Sequence, residues 1–308
     1  MKGLREHLLT LLPLAVCMAC GGSQSTAKNA SPHVHTAKPV DRSSSEAASA
    51  SDAQANTPPT FNSSCGDFDS EAAAMNQVLS LCGSGLVWLV LPAAAQDGSV
   101  NEKDLREAQK RSEDDIHKAR KLAECLLHEI NAGFDQTEEQ GFESLEAWVD
   151  EHVTGKHPKL LLAAGAAYFA SLMVADSLFD AVLDIPAARL FLERSIAADP
   201  SLYDGLGPML IGAYECFMPK PIGGQPEQGL ARLEEAAAAP GRFRLAMKVV
   251  AAELCAYSLQ DRKLFDRLID EILHGPRGTD TMIDMMAQAH AKSLLADADE
   301  LFALAEDD

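Results

Sequence analysis

The chain has 308 residues and a formal net charge of −20, from 26 Lys and Arg against 46 Asp and Glu. Five of the basic and four of the acidic side chains fall in the first 60 residues, leaving 21 against 42 on the rest, a surface that repels nucleic acid and anionic lipid head groups. Aromatics are only 6% and alanine is plentiful, which points to close-packed helices rather than sheets.

Residues 1–20 read as a lipoprotein-type signal peptide. Lys2 and Arg5 form a charged start, and the apolar run 8–19 is too short to span a bilayer. Cys20, preceded by Ala19 and followed by Gly21-Gly22-Ser23, is the expected lipidated cysteine. Cys17 is the alternative, with Leu14 well placed but Val16 directly before it. An ordinary cleaved secretory signal with a chance cysteine is the remaining reading. Residues 21–62 are Ser, Ala, Thr, Asn and Pro with almost no large apolar side chain, so they cannot bury a core and read as a disordered tether. His33 and His35 within it are a chance pair in a low-complexity stretch.

From 63 to 308 a single all-helical domain is expected. A buried helix over 70–96 should end near Pro92. A charged amphipathic helix follows over 102–131, with Gly133 as its stop. Residues 134–157 are acidic and irregular, with a short helix over 142–152. The stretch 160–183 is helical and apolar all round, hence central. Pro186 then precedes a helix over 187–198, and further helices are expected over 204–217, 226–239, 243–259, 262–273 and 280–304.

Two of these helices end alike, as Arg194-Ser195-Ile196-Ala197-Ala198-Asp199-Pro200 and as Leu233-Glu234-Glu235-Ala236-Ala237-Ala238-Ala239-Pro240. Aligning Leu192 with Leu233 gives an offset of about 41, longer than the tetratricopeptide unit of about 34. The excess fits in the turn Pro219-Lys220-Pro221-Ile222-Gly223-Gly224. The fold expected is antiparallel helical hairpins stacked as a degenerate tetratricopeptide-like solenoid.

Three segments carry a family resemblance over roughly residues 100–303: the Arg194 to Pro200 run, Lys220-Pro221-Ile222-Gly223-Gly224-Gln225-Pro226-Glu227, and Gln260-Asp261-Arg262-Lys263-Leu264-Phe265-Asp266-Arg267-Leu268. The chain resembles the T component of tripartite (TRAP) transport systems, TatT. The resemblance implies a non-enzymatic lipoprotein, exported and lipid-anchored on the periplasmic side of the bacterial envelope, with the outer membrane the expected site. It implies docking to a periplasmic substrate-binding protein of a TRAP system, assistance in uptake of a solute that includes hydrophobic ligands, and homo-oligomers among its states. A general envelope-assembly scaffold and a carrier of a hydrophobic small molecule are the alternatives.

Candidate partner or ligand contacts are Lys220, Ile222, Gly223 and Gly224 in the turn, with Tyr168, Tyr214 and Phe217 on the helices beside it; tyrosines on a concave face serve binding. A plain inter-helix turn and inter-repeat packing are the competing readings. Cys65 and Cys82 bracket the start of the folded part and are the candidate disulfide, although spacing alone does not fix connectivity. Cys125, Cys216 and Cys255 read as buried thiols on apolar helix faces. Cys125 and His128 share a helix face without further ligands nearby, and His152 and His157 read as loop histidines, so no metal, cofactor or nucleic acid is expected. No catalytic residue is expected: the chain has no nucleophile elbow, phosphate loop or HExxH sequence, and Glu113-Asp114-Asp115 reads as a solvated run.

Overall fold

The computed structural model describes residues 64–94, 102–175 and 178–303, so Cys17, Cys20 and residues 21–62 lie outside the described residues. All regular structure among the described residues is helical. The helices are α1 (Glu71–Ala94), α2 (Glu102–Ile130), α3 (Phe134–Gln140), α4 (Phe142–His152), α5 (Pro158–Val174) and α6 (Leu178–Ala198). They continue with α7 (Leu206–Phe217), α8 (Pro226–Ala238), α9 (Arg244–Val250), α10 (Arg262–His274), α11 (Thr281–Ala296) and α12 (Ala298–Ala303). Helix α9 runs on into a π-helical segment, Ala251–Ala256.

Neighbouring helices pack as antiparallel pairs. In α1–α2, Cys65 lies by Cys125 while Ser84 Oγ donates to Asp115 Oδ2 at 2.7 Å. In α5–α6, Ser195 Oγ donates to the Pro158 carbonyl at 2.9 Å, and Leu192 packs on Gly165. In α7–α8, Gly212 faces Leu233 while Gly229 faces Cys216. One hydrophobic cluster extends from Ala74 in α1 to Leu301 in α12.

The repeat seen in sequence has a physical basis. A Cβ at Gly165 would stand 2.6 Å from Leu192 Cγ, and a Cβ at Gly212 would stand 2.6 Å from Leu233 Cγ. Each of the two aligned leucines is thus lodged against a glycine of the preceding helix, and a side chain larger than hydrogen there would push the helices apart. The two pairs are not copies: α6 has 21 residues and α8 has 13.

The structure differs from expectation at four places. The apolar stretch 160–183 is not one helix: α5 stops at Val174, Ala175 is extended, and the second half joins α6. Pro186 does not end a helix but sits exposed inside α6, where packing of α6 on α5 outweighs the missing backbone donor. Helix α7 begins at Leu206 rather than 204, because Tyr203, Asp204 and Gly205 adopt left-handed backbone at φ 47°, 56° and 84°. Residues 134–157 hold two helices rather than one, joined at Gly141, whose φ is 93°.

The cysteines also correct the expected pairing. Cys65 is bonded to Cys125, not to Cys82, and Cys216 is bonded to Cys255. The antiparallel return of α2 brings Cys125 beside the start of α1. Cys82, fully buried, lies eleven residues into α1, about 16 Å further along its axis. Cys125, Cys216 and Cys255 are therefore not thiols, and α7 is stapled to the π-helical segment.

Candidate functional site

The turn after α7 is folded back on its own helix. Lys220–Ile222 form a single 3₁₀ turn, and Gly223 follows at φ 98°, a conformation that favours glycine. Three backbone bonds close it: Gly223 N–H to the Lys220 carbonyl at 3.2 Å, Gly224 N–H to Pro219 at 3.1 Å, and Gln225 N–H to Glu215 at 2.7 Å. A Cβ at Gly224 would lie 1.5 Å from the Met218 carbonyl oxygen, so only glycine fits. Pro219, Lys220 and Pro221 form an exposed ridge, with Lys220 Nζ 3.8 Å from Glu227.

Beneath that turn lies a buried polar cluster. Tyr214 is 2% exposed, edge-on to Phe169, with the Arg189 guanidinium 5.5 Å from its ring centroid. Burial pushes the Tyr214 hydroxyl pKa up, against the pull of Arg189. For Arg189, burial opposes the charge, but the hydrogen bond it donates to Glu193 at 2.8 Å, with the nearby negative charge, outweighs it and holds the pKa above the usual range. Next to Tyr214, Glu215 is fully buried and takes two hydrogen bonds from Arg232, at 3.2 and 3.3 Å.

Tyr168 repeats the pattern one hairpin earlier. It is 3% exposed, edge-on to Phe191, and the Arg120 guanidinium lies 4.3 Å from its ring centroid. Burial works against the Arg120 charge, yet its hydrogen bonds to Asp184 and Glu124 raise its pKa. Tyr168 and Tyr214 are therefore packing residues, not lining of a concave face, and Phe217 is half-buried against the core. The physical reason is that α5 and α7 are central helices with no wet face.

A concave surface exists elsewhere. A half-open cleft of about 390 Å³ is lined by Ile196, Pro200 and Ser201 at the end of α6, and by Asp204, Gly205 and Pro208 at the start of α7. Its other wall is Arg232, Glu235, Ala236, Ala239, Pro240 and Gly241 at the end of α8. The two similar helix ends recognised in sequence thus face each other across one cleft. The turn at 219–225 lies at the other end of α7, a helix of 12 residues and so about 18 Å long. The sequence pointed to the turn and did not single out the cleft. One available signal was Glu215, a lone carboxylate in the apolar run 208–218, which marks a buried ion pair at this hairpin.

The segments that carried the family resemblance have structural duties. Arg194 bridges α6 to α4 through Asp150 at 2.6 Å and Glu146 at 3.0 Å. Asp199 takes the N–H and hydroxyl of Ser201, tying the chain reversal after α6. Asp261 caps α10 by accepting from Leu264 N–H at 2.9 Å, just after left-handed Gln260. His128 pairs with Asp135, His152 Nδ1 contacts the Trp148 carbonyl, and His157 Nδ1 lies 3.0 Å from Glu71. Among the described residues no three His, Cys, Asp or Glu gather where a metal ion could be held.

What the described residues present is thus an all-helical scaffold with a braced ridge and a cleft formed by helix ends. The model of the TRAP transporter T-component family matches residues 92–302, more than half the chain, and the chain belongs to that family. It is a transport-associated component family. Among curated proteins no match is found.

Proposed function

We propose that this protein serves a TRAP uptake system by docking its periplasmic substrate-binding protein, and that the cleft between the ends of α6 and α8 is the docking surface. Membership of the T-component family carries the transport role. The cleft carries the choice of surface, because the tyrosines are buried, whereas the cleft combines an apolar wall of Ile196, Pro208 and Ala236 with a polar rim of Asp204 and Glu235. The hairpins act as a degenerate tetratricopeptide-like solenoid, with the acidic body speeding encounter with a basic partner face. The protein is exported and held on the periplasmic side of the envelope through a lipid on Cys20, with residues 21–62 as the tether. Cys17 is the alternative site.

The test is capture from periplasmic extract with the mature protein, followed by titration of the recovered substrate-binding protein. Ala239→Trp, which places an indole in the cleft from an exposed helix end, should weaken binding at least about tenfold. Lys220→Glu at the distant ridge should leave it unchanged. Recovery of assembly factors without any substrate-binding protein overturns the transport reading, and loss of binding with Lys220→Glu but not Ala239→Trp moves the surface to the turn.

A further inference from the structure

A second depression, of about 140 Å³, lies among α8, α9 and α10. Its floor is apolar: Leu233, Ala237, Met247, Ala251 and Leu268, each 2% exposed or less. Its polar lining is Arg244, Lys248, Glu234 and Glu271. The two carboxylates are already engaged. Glu271 takes Lys248 Nζ at 2.6 Å and Arg267 Nη1 at 2.8 Å, while the other Arg267 Nη bonds Glu234 at 2.5 Å.

Arg244 is different. Its Nε is buried with no hydrogen-bond acceptor, and its guanidinium forms no ion pair with any described residue. The chain has 46 acidic side chains against 26 basic, and the partly buried Arg120, Arg189, Arg194, Arg232 and Arg262 each hold a carboxylate. A buried Nε–H without an acceptor is unfavourable, so a partly buried arginine left without a carboxylate in so acidic a protein, at the edge of an apolar hollow, is suited to an acceptor from outside.

We propose that this hollow binds a small aliphatic monocarboxylate. The carboxylate would sit on the Arg244 guanidinium, with the Lys248 protons that do not point to Glu271 beside it. The tail would cover Leu233, Met247 and Leu268. Size supports a small molecule, since the hollow is well below the roughly 300 Å³ at which drug-sized ligand sites begin. Charge supports a monoanion: Glu234 and Glu271 at the same rim would repel a phosphate or dicarboxylate. This inference does not depend on the docking proposal, which concerns another cleft.

Calorimetric titration of the purified protein with sodium isobutyrate and sodium isovalerate, at constant ionic strength, tests it. Saturable binding is expected, with isobutyramide, the neutral isostere, weaker by about tenfold or more. Arg244→Gln should abolish most of the binding while leaving the far-ultraviolet circular dichroism and the ligand-free melting temperature at or above those of the parent, because no ion pair is lost. Arg244→Lys should bind with intermediate strength. Absence of saturable binding of either acid up to about 10 mM overturns the proposal, as does equal binding by Arg244→Gln or by isobutyramide.

Discussion

Removal of Arg232 isolates the buried charge beneath the turn. Glu215 has no exposed surface, and both of its oxygens accept from Arg232. Deleting one partner of a buried ion pair costs about 3–5 kcal/mol, because the remaining carboxylate has lost water and gained nothing. Two structural facts place Arg232→Met near the lower bound. The bonds of 3.2 and 3.3 Å are longer than the usual charge-assisted range, and the positive charge of Arg189 stays close enough to be felt by Glu215. We expect a loss of about 3 kcal/mol, or about 6–12 °C in Tm for a folded part of this size. Glu215→Leu combined with Arg232→Met should recover most of that loss, since an apolar pair of similar volume needs no partner. Urea unfolding of the parent, both single variants and the double variant gives the coupling energy directly. A loss under about 1 kcal/mol for Arg232→Met, or a double variant no more stable than the single, would refute the view of Glu215 as a fully desolvated charge held by one arginine.

Three further outcomes follow from the same geometry. Gly212→Ala should cost about 1–3 kcal/mol for the clash with Leu233, reduced by up to about 1 kcal/mol of helix propensity, and Gly165→Ala should behave alike against Leu192; urea midpoints check both. Peptide mapping without reductant should recover Cys65 joined to Cys125 and Cys216 joined to Cys255, and removing either bridge, which closes 60 or 39 residues, should cost about 4 kcal/mol by loop entropy. Acid should lower the melting temperature through two carboxylates. The hydrogen bond from Arg194 holds Asp150 below its ordinary pKa; burial pushes Glu271 up, but Lys248 and Arg267 outweigh it and its pKa falls. A carboxyl group depressed in the folded state stabilises it at neutral pH, and that contribution fades as pH drops from the unfolded value of about 4 through the folded one. Melting curves of Arg194→Gln between neutral pH and about pH 3 should show a shallower acid decline than those of the parent.

The fold class, the helix pairs and the leucine equivalence were legible because they depend on period and spacing. Leu192 and Leu233 align in sequence, and the structure seats each against a glycine. The break at Ala175 was not read, although Asp176-Ser177 follows it directly, because 160–183 carries no proline, its one glycine, Gly165, lies ten residues earlier, and most of the rest is apolar, so its period gives no sign of a reversal. Pro186 misled for the opposite reason: a local breaker was overruled by packing of the whole of α6. The disulfides could not be read from spacing, since Cys65 and Cys125 meet only through the return of α2 along α1. The site suffered most. Aromatic residues near a glycine turn suggested a contact face, but Tyr168 and Tyr214 needed their arginine neighbours, Arg120 and Arg189, to explain them. The cleft depends on two helix ends meeting, which alignment of those ends hinted at without placing them opposite one another.

The cleft has irregular backbone at its base, and that leads to a last prediction. Tyr203, Asp204 and Gly205 are consecutive left-handed residues, followed by Pro208, and the opposite wall ends at Pro240. The left-handed turn ends the reversal after α6 and fixes where α7 starts, at the base of the cleft. Asp204 is exposed, its nearest basic partner, Arg242, is 3.9 Å away, and its side chain contributes little packing. Its backbone conformation is therefore what a substitution would report. Asp is among the residues that bear left-handed φ best, and glycine bears it freely, whereas a β-branched residue does not. Asp204→Gly should change stability by less than about 0.5 kcal/mol, and Asp204→Val should cost about 1–2 kcal/mol. If the cleft docks the partner, Asp204→Val should also weaken docking while Asp204→Gly preserves it. Equal stability of the two variants by urea unfolding would mean that the turn is not held left-handed, and the explanation of the cleft's base would fall with it.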